Sequence, residues 1–530
     1  NTNNYPYKNF GVKKQYIDFI NKLAEQTSVI VDVFANPYSL KIFENVYVDA
    51  LIMSYQDDNI TQSLSAQLIF GGIAAKGELP VSIEPKYPVK TGIKTKSLNR
   101  LQYSIPEDVG MSSDTLRMID IIVKDAIAAK ATPGCQILAA RDGKVFYKKS
   151  FGYHTYLKKK QVKDKDIYDI ASITKIVATM PSLMKLYDEG KFDINKSLDY
   201  YLPKLDTTNK GDIEIRDILT HQARLNGWIP YYLKTLNLLY PEKEIYSNKF
   251  SDEYPYKVGK GFYVAKNFTF RDSIYSVTKR ENYTIQIAKD LYIIDSFRDS
   301  IYDMIRESSL IDKKEYHYSD LGFYYFYKII EDITNKNMPE YLNKNFYNKL
   351  GADRTGYLPL QRFSKDEIVP TENDMIFRKQ LLHGYVHDPG AAMLGGVCGH
   401  AGVFTNSNDL AKIMQMYLQN GNYGGEKYFS DTTIKYFTTS PFLENDNRRA
   451  LGFDKPQMDY SKLGPSCQCV SGESFGHTGF TGTMAWVDPK TEILYIFLSN
   501  RIHPDQDNSK LVKMDVRTDI QEVINNAIID

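Results

Sequence analysis

The chain carries almost no excess charge of either sign: 66 Lys and Arg stand against 65 Asp and Glu in 530 residues, a formal net charge of +1. A nucleic-acid binder needs a basic face for phosphates, and this balance offers no such footprint. Cysteine is scarce. The four residues Cys135, Cys398, Cys467 and Cys469 are too few and too scattered for the disulfide framework of a small secreted domain. Cys467 and Cys469 flank a single residue, which leaves their pairing open, and without a second pair no metal is expected there. Long apolar runs are also missing. None approaches the roughly eighteen residues that a membrane-spanning helix needs, so no transmembrane segment is expected. The opening Asn1-Thr2-Asn3 shows neither an initiator Met nor a signal peptide, and reads as a mature form or a cut chain.

What is present fits a soluble globular protein, with 42% hydrophobic and 25% charged residues. At about 150 residues per domain the length suggests about three units. Tyrosine is abundant at 41, and many tyrosines fall in a polar stretch from Tyr231 to Tyr327. That pattern suits a surface of amphipathic aromatics or a groove for sugar or peptide. The first hundred residues alternate a helical pattern (13–26), a β-branched run (28–34), a second strand (47–54), a helix near 61–69 and a third strand (77–82). Strand and helix alternating at this spacing form a parallel α/β layer. Residues 1–85 therefore read as a small α/β segment, too short in strands for an independent sheet. Residues 86–104, rich in Pro, Gly and Lys, read as a linker.

From residue 105 the pattern changes. Ser112 and Ser113 start a helix with Leu116, Ile119, Ile122 and Val123 on one face. Residues 135–140 and 144–147 form a hairpin around Asp142-Gly143. Two further strands, 482–488 and 493–499, and an amphipathic helix near 516–528 close the chain. The expected fold is α/β of the α+β type: an antiparallel sheet flanked by helices, built from both ends of residues 105–530, with an inserted helical domain over about 180–400.

Ser-x-x-Lys occurs three times, at Ser172/Lys175, Ser182/Lys185 and Ser276/Lys279, so the motif alone selects nothing. Ser172 differs by standing where a polar loop enters a buried helix. There its hydroxyl meets the positive end of the helix dipole, and Lys175 shares its face. A desolvated lysine can help activate a serine. Tyr318, in a polar loop before another helix, can shuttle the serine's proton, with Ser319 or Asp320 placed to cap that helix. His477-Thr478-Gly479-Phe480 leads into a strand, where a Gly-bracketed edge lets a substrate backbone approach and N–H groups bind an oxyanion. His383, His387, Asp388 and His400 crowd one loop without helical spacing, and no metal is expected from them. The Lys158–Lys160 run reads as a solvated turn.

In this order the motifs resemble the serine β-lactamase and penicillin-binding protein superfamily, specifically its class C-like branch with D-alanyl-D-alanine carboxypeptidases and related esterases. That branch shows Ser-x-x-Lys, Tyr-x-Asn and Lys- or His-Thr-Gly. Pro133-Gly134, the stretches 215–221 and 395–402, and Asp409-Leu410-Ala411 look like the family too. The resemblance implies an acyl-forming Ser172, proton handling by Lys175 and Tyr318, and substrate and oxyanion binding by Asp320, His477, Thr478, Gly479 and Phe480. It also implies that the N–H groups of Ser172 and Phe480 form the oxyanion pair, and that no cofactor takes part. It implies cell-wall-related peptide, amide or ester substrates and a bacterial periplasmic or otherwise exported location.

Three positions depart from the pattern. Asp320 replaces the usual Asn: an ionised carboxylate cannot donate to a substrate amide, and it could pair with Lys175 and hold it protonated. His477 replaces a fixed cation, and Arg224 stands where Gly is common. The alternatives are therefore a promiscuous carboxylesterase and, in another class, a catalytically inactive peptidoglycan-binding protein. Residues 33–38 and 68–82 are similar to the end of the C-terminal domain of family 3 glycoside hydrolases. This implies a fragment without glycosidase chemistry of its own, with a family 3 barrel as its partner in a longer chain. A fluorophosphonate is expected to modify Ser172 and neither Ser182 nor Ser276; peptide mapping of the labelled protein checks it.

Overall fold

The computed structural model describes residues 5–238, 244–259 and 261–529. They fall into two compact units, which divide at residue 103/104, with 423–425 belonging to the first.

In the smaller unit, helix α1 (Lys14–Ala24) precedes strand β1 (Ile30–Val33), and strand β2 (Ala50–Met53) precedes helix α2 (Asn59–Ile69). The strands are parallel, in register from Ile30 opposite Ala50 to Val33 opposite Met53. Asp58 caps α2 by accepting from the Thr61 N–H at 2.8 Å. Val33, Ala35, Phe43 and Val46 make the local core. The third strand expected at 77–82 does not form. Pro80 has no N–H to give to a ladder, and Leu79 and Ile83 pack with Leu40 from an irregular segment instead. The stretch read as a linker folds back within this unit: Leu98 N–H donates to Gly71 O at 2.8 Å and Ser97 Oγ to Gly72 O at 2.7 Å.

The larger unit is built on an antiparallel sheet from both ends of its chain. Helix α3 (Ser113–Ala128) is capped by Ser112, whose Oγ accepts from Thr115 N–H at 3.2 Å. It leads into β3 (Gly134–Arg141) and β4 (Lys144–Gly152). Their turn places Asp142 and Gly143 at φ 50° and 72°, the left-handed pair a tight hairpin needs. Strands β5 (Phe475–Gly479), β6 (Thr483–Asp488) and β7 (Ile493–Ser499) complete the order β5-β6-β7-β3-β4, with Ile493 opposite Arg141 and Ser499 opposite Cys135.

Side chains alternate across each strand. Ile137, Trp486, Tyr495 and Phe497 meet Leu116, Ile119 and Val123 of α3 and Ile520 and Ile524 of the C-terminal helix Val516–Asn526. Every residue of β7 is buried, because helices cover both faces of the sheet. The antiparallel sheet flanked by helices matches the expected fold class.

The middle of the chain is less helical than its expected inserted domain. Between Leu236–Leu238 and Leu291–Ile293 it forms short strands in small antiparallel sheets. Aromatic and β-branched residues favour a half-buried pleat, and interspersed Asn, Asp and Gly break the run before any helix can nucleate. Ser276 lies on the edge strand Tyr275–Ser276 and donates to Thr278 O at 2.7 Å, remote from any helix start.

The end of β5 packs directly on the segment that enters the turn carrying Ser172. A Cβ on Gly479 would run into Thr483 Oγ1 and the Ile170 carbonyl. Gly479→Ala is expected to cost about 1–3 kcal/mol of stability, read as a lowered midpoint in urea unfolding.

Candidate active site

Ser172 does not sit in a regular α-helix. A single 3₁₀ turn (Ala171–Ile173) is followed by a wider π turn (Lys175–Thr179), and only then by a regular helix (Met180–Asp188). Ala171 takes φ 46°, a left-handed conformation that a residue with a Cβ adopts at a cost. Its N–H is fixed by Asp169 Oδ1 at 2.8 Å. Irregular helical turns of this kind recur at functional sites, and here they present the Ser172 hydroxyl to a cleft.

Lys175 is fully buried. Its Nζ donates to Ser172 Oγ at 2.9 Å, to Asp320 Oδ1 at 2.6 Å and, at 3.5 Å, to the His400 carbonyl. An ammonium has three N–H donors, and each has an acceptor. Tyr318 donates its hydroxyl to Ser172 Oγ at 2.9 Å. Burial alone pushes the Lys175 pKa down, but the Asp320 carboxylate and Tyr318 push it up and win, leaving it above the ordinary 10.5. Burial raises the Tyr318 phenol, with Lys175 opposing, to a net position above its ordinary value. At rest the site therefore holds an ammonium, a carboxylate and a neutral phenol around the serine.

Asp320 is free to make this ion pair because its neighbour does the capping. Ser319 Oγ accepts from Leu321 N–H at 3.2 Å at the start of helix Leu321–Thr334 and donates to Asn226 O at 2.6 Å. The Asp320 backbone N–H donates to Gly227 O at 2.9 Å.

A cleft of about 470 Å³ brings together Ser172, Tyr318, Asp320, His477, Thr478 and Phe480. Lys175 lies beneath its floor, and Gly479 is buried in the wall strand. His477 is buried, and burial, Arg449 and Lys175 hold its pKa well below 6.5, so the ring is neutral. Its Nδ1 lies 2.7 Å from the Thr478 carbonyl. A carbonyl only accepts, so Nδ1 carries the proton and Nε2 is bare. The Phe480 ring is half exposed and stacks on His387 at 5.4 Å between centroids.

Two of the three histidines of the crowded loop meet carboxylates and the third a backbone carbonyl. His387 Nε2 pairs with Glu372 Oε2 and His400 Nε2 with Asp388 Oδ1, each at 2.8 Å, while His383 Nε2 contacts Ile368 O at 2.7 Å. Among the described residues no group of three or more His, Cys, Asp or Glu could hold a metal ion. Cys467 and Cys469 form a disulfide. Ser182 donates to Ala178 O at 2.8 Å inside its helix. Arg224 takes φ 60°, the conformation that favours glycine, and its Nε donates to Ile311 O at 2.6 Å.

Among the cleft residues that escaped the sequence reading are one charged and one aromatic side chain. Arg449, buried against Asp454, and Trp228, half exposed, both line the cleft. No spacing marks them, since each reaches the site only through long-range folding.

Residues 119–514 match the Beta-lactamase family profile. A Salmonella gallinarum protein named "Putative D-alanyl-D-alanine carboxypeptidase" is 28% identical over 439 residues, spanning 78% of this chain and 88% of that protein. Simvastatin synthase (LovD) from Aspergillus terreus has a similar fold, with a TM-score of 0.52 at 15% identity over 78% of this chain and 98% of its own. The octameric penicillin-binding protein homologue from Pyrococcus abyssi aligns with a TM-score of 0.50 at 18% identity, covering 76% of each chain.

Lys175 and Tyr318 both hold their protons above their ordinary values, so the rate at which a fluorophosphonate modifies Ser172 is expected to rise with pH into the alkaline range. Asp320→Asn removes the carboxylate that raises Lys175. The lysine pKa then falls, and the alkaline limb of the pH–rate profile is expected to move to lower pH.

Proposed function

The chain belongs to the beta-lactamase family, and from that membership we propose a serine hydrolase that forms an acyl-enzyme at Ser172, of the D-alanyl-D-alanine carboxypeptidase type. Its substrates are peptides, amides or esters related to cell-wall peptides. The observation that carries this reading is the contact of Ser172 Oγ with both Lys175 Nζ and Tyr318 Oη at 2.9 Å, at the floor of an open cleft.

The chemistry follows from these contacts. Once the Lys175–Tyr318 pair has lost a proton, Tyr318 accepts the Ser172 proton as Oγ bonds to the substrate carbonyl carbon. The carbonyl π electrons move onto oxygen, which the N–H groups of Ser172 and Phe480 receive. Tyr318 returns the proton to the leaving nitrogen or oxygen as its bond to carbon breaks. Water then attacks the Ser172 ester by the same route. Throughout, the Lys175 side chain stabilises negative charge on Tyr318 and the serine oxygen.

Supporting the cell-wall setting are the name of the Salmonella relative and the Cys467–Cys469 disulfide, which suits an oxidising, exported location. The parallel pair β1–β2 flanked by helices is compatible with the family 3 glycosidase resemblance of residues 1–85, and a family 3 barrel remains the partner we propose for it. One observation favours a second reading, an inactive peptidoglycan-binding protein: the Lys175–Asp320 contact of 2.6 Å favours the charged lysine.

Release of D-alanine from an acylated D-Ala-D-Ala peptide and hydrolysis of a p-nitrophenyl ester, assayed side by side, separate these readings. Turnover of the peptide is expected, with Ser172→Ala lowering it by about 10³-fold or more. Turnover of the ester alone supports the esterase, turnover of neither supports the binding protein, and activity that survives Ser172→Ala overturns the nucleophile.

A further inference from the structure

Away from the cleft, the tyrosine-rich stretch ends on two helices, Phe297–Glu307 and Leu321–Thr334. Phe297, Ile301 and Ile305 of the first, and Phe326, Ile329 and Ile330 of the second, are buried. Beside these apolar stripes runs a second row at helical spacing. It consists of Arg298, Tyr302 and Arg306 on one helix and Tyr325, Lys328 and Asp332 on the other. The helices touch here: the Tyr302 hydroxyl donates to the Tyr324 carbonyl at 3.4 Å, and the Tyr302 and Tyr325 rings lie 6.3 Å apart. With residues 201–205 these side chains line a cavity of about 500 Å³.

The lining holds four basic and four acidic residues, and they neutralise one another. Arg306 Nη1 meets Asp303 Oδ1 at 2.8 Å, and Lys328 Nζ meets Asp332 Oδ1 at 3.2 Å. With no net field, neither a phosphate nor a polycation is drawn in. An apolar ligand fits no better, because Tyr325 is 2% exposed and, among the described residues, its hydroxyl has no hydrogen-bond partner. A buried hydroxyl left unpaired is unfavourable, so a fitting ligand brings the partner. Helical walls offer no strand edge to an extended peptide, and a peptide helix docks in an apolar groove rather than a charged one. A neutral ligand with hydroxyls on its rim and C–H groups on its faces, as a sugar ring has, meets all of these conditions. Tyrosine is amphipathic in the same sense.

The cavity continues past this wall. Arg298, Tyr327 and Glu331 also line a second cavity of about 750 Å³. There Gln286 Nε2 donates to the Tyr385 hydroxyl at 3.1 Å, Arg298 Nη2 donates to the Leu394 carbonyl at 3.5 Å, and Tyr292 adds another ring. Neither cavity shares a lining residue with the cleft at Ser172. We propose that the two cavities form one furrow for an unbranched, uncharged oligosaccharide, a binding site apart from catalysis. The Tyr302 and Tyr327 rings pack on sugar faces, the Tyr325 hydroxyl pairs with a sugar hydroxyl, and the Glu331 carboxylate at the junction accepts from another. The site holds its ligand whether or not Ser172 acylates.

Titration calorimetry on the full chain tests this with probes of matched length. Cellohexaose and N-acetylchitohexaose, both uncharged, are compared with the cationic glucosamine hexamer, the anionic galacturonate hexamer and an uncharged glycine–serine peptide. At least one uncharged saccharide is expected to bind saturably, with the charged hexamers and the peptide weaker by about 10-fold or more. Tyr325→Phe keeps the ring and removes only the unpartnered hydroxyl. It is therefore expected to fold as the parent does and to weaken saccharide binding by about 5-fold. Tyr302→Ala removes a ring and is expected to weaken it by about 10-fold; if that variant fails to fold, Tyr325→Phe decides alone. Ser172→Ala is expected to leave saccharide binding unchanged. Binding of neither uncharged saccharide, equal or tighter binding of a charged hexamer or the peptide, or undiminished binding by Tyr325→Phe overturns the proposal. So does saccharide binding that Ser172→Ala abolishes, which would place the sugar in the cleft instead.

Discussion

The buried ammonium of Lys175 is the constraint around which the site is arranged. A charge removed from water is tolerated only when its donors are matched, and Lys175 has three acceptors from three parts of the chain: Ser172, Asp320 and the His400 carbonyl. Each match fixes a piece of structure. The turn entering at Ala171 must hold a left-handed residue to bring the serine forward. Ser319 must cap its helix so that Asp320 need not. The loop through Gly399 and His400 must turn its carbonyls inward, and Thr179 Oγ1 holds the Gly399 carbonyl at 2.6 Å.

The same economy runs through the surrounding wall. His387 with Glu372, Arg378 with Asp374 and His400 with Asp388 are paired charges around the cleft. Burial pushes His400 down, yet Asp388 more than offsets this and holds its pKa well above the ordinary value. Arg449 also meets a carboxylate, Asp454, through Nη1, but its Nε and Nη2 have no acceptor among the described residues.

Much of this was legible in the sequence, and the reasons are local. The Asp142-Gly143 turn, the Ser112 cap and the alternating strands of the closing hairpin carry their geometry within a few residues. Ser172, Tyr318 and His477, singled out by their order, line one cleft, and Asp320, standing where the family usually has Asn, pairs with Lys175. The misses are long-range or cooperative. The helical inserted domain gave way to short sheets between 236 and 293, whose pairing partners no local pattern specifies. The 3₁₀ and π turns around Ser172 reflect what Lys175 must reach rather than any helix propensity. Arg449 and Trp228 are ordinary residues until the fold turns them into one cavity.

The central claim is that Lys175 is a fully charged lysine held so by Asp320, and its own titration tests it most directly. In protein carrying ¹⁵N-labelled lysine, the Nζ resonance assigned by Lys175→Arg is expected to remain that of an ammonium through and beyond pH 10.5, the ordinary lysine value. A Lys175 resonance that titrates below that value, as an unpaired buried amine would, contradicts the ion pair and the arrangement built on it.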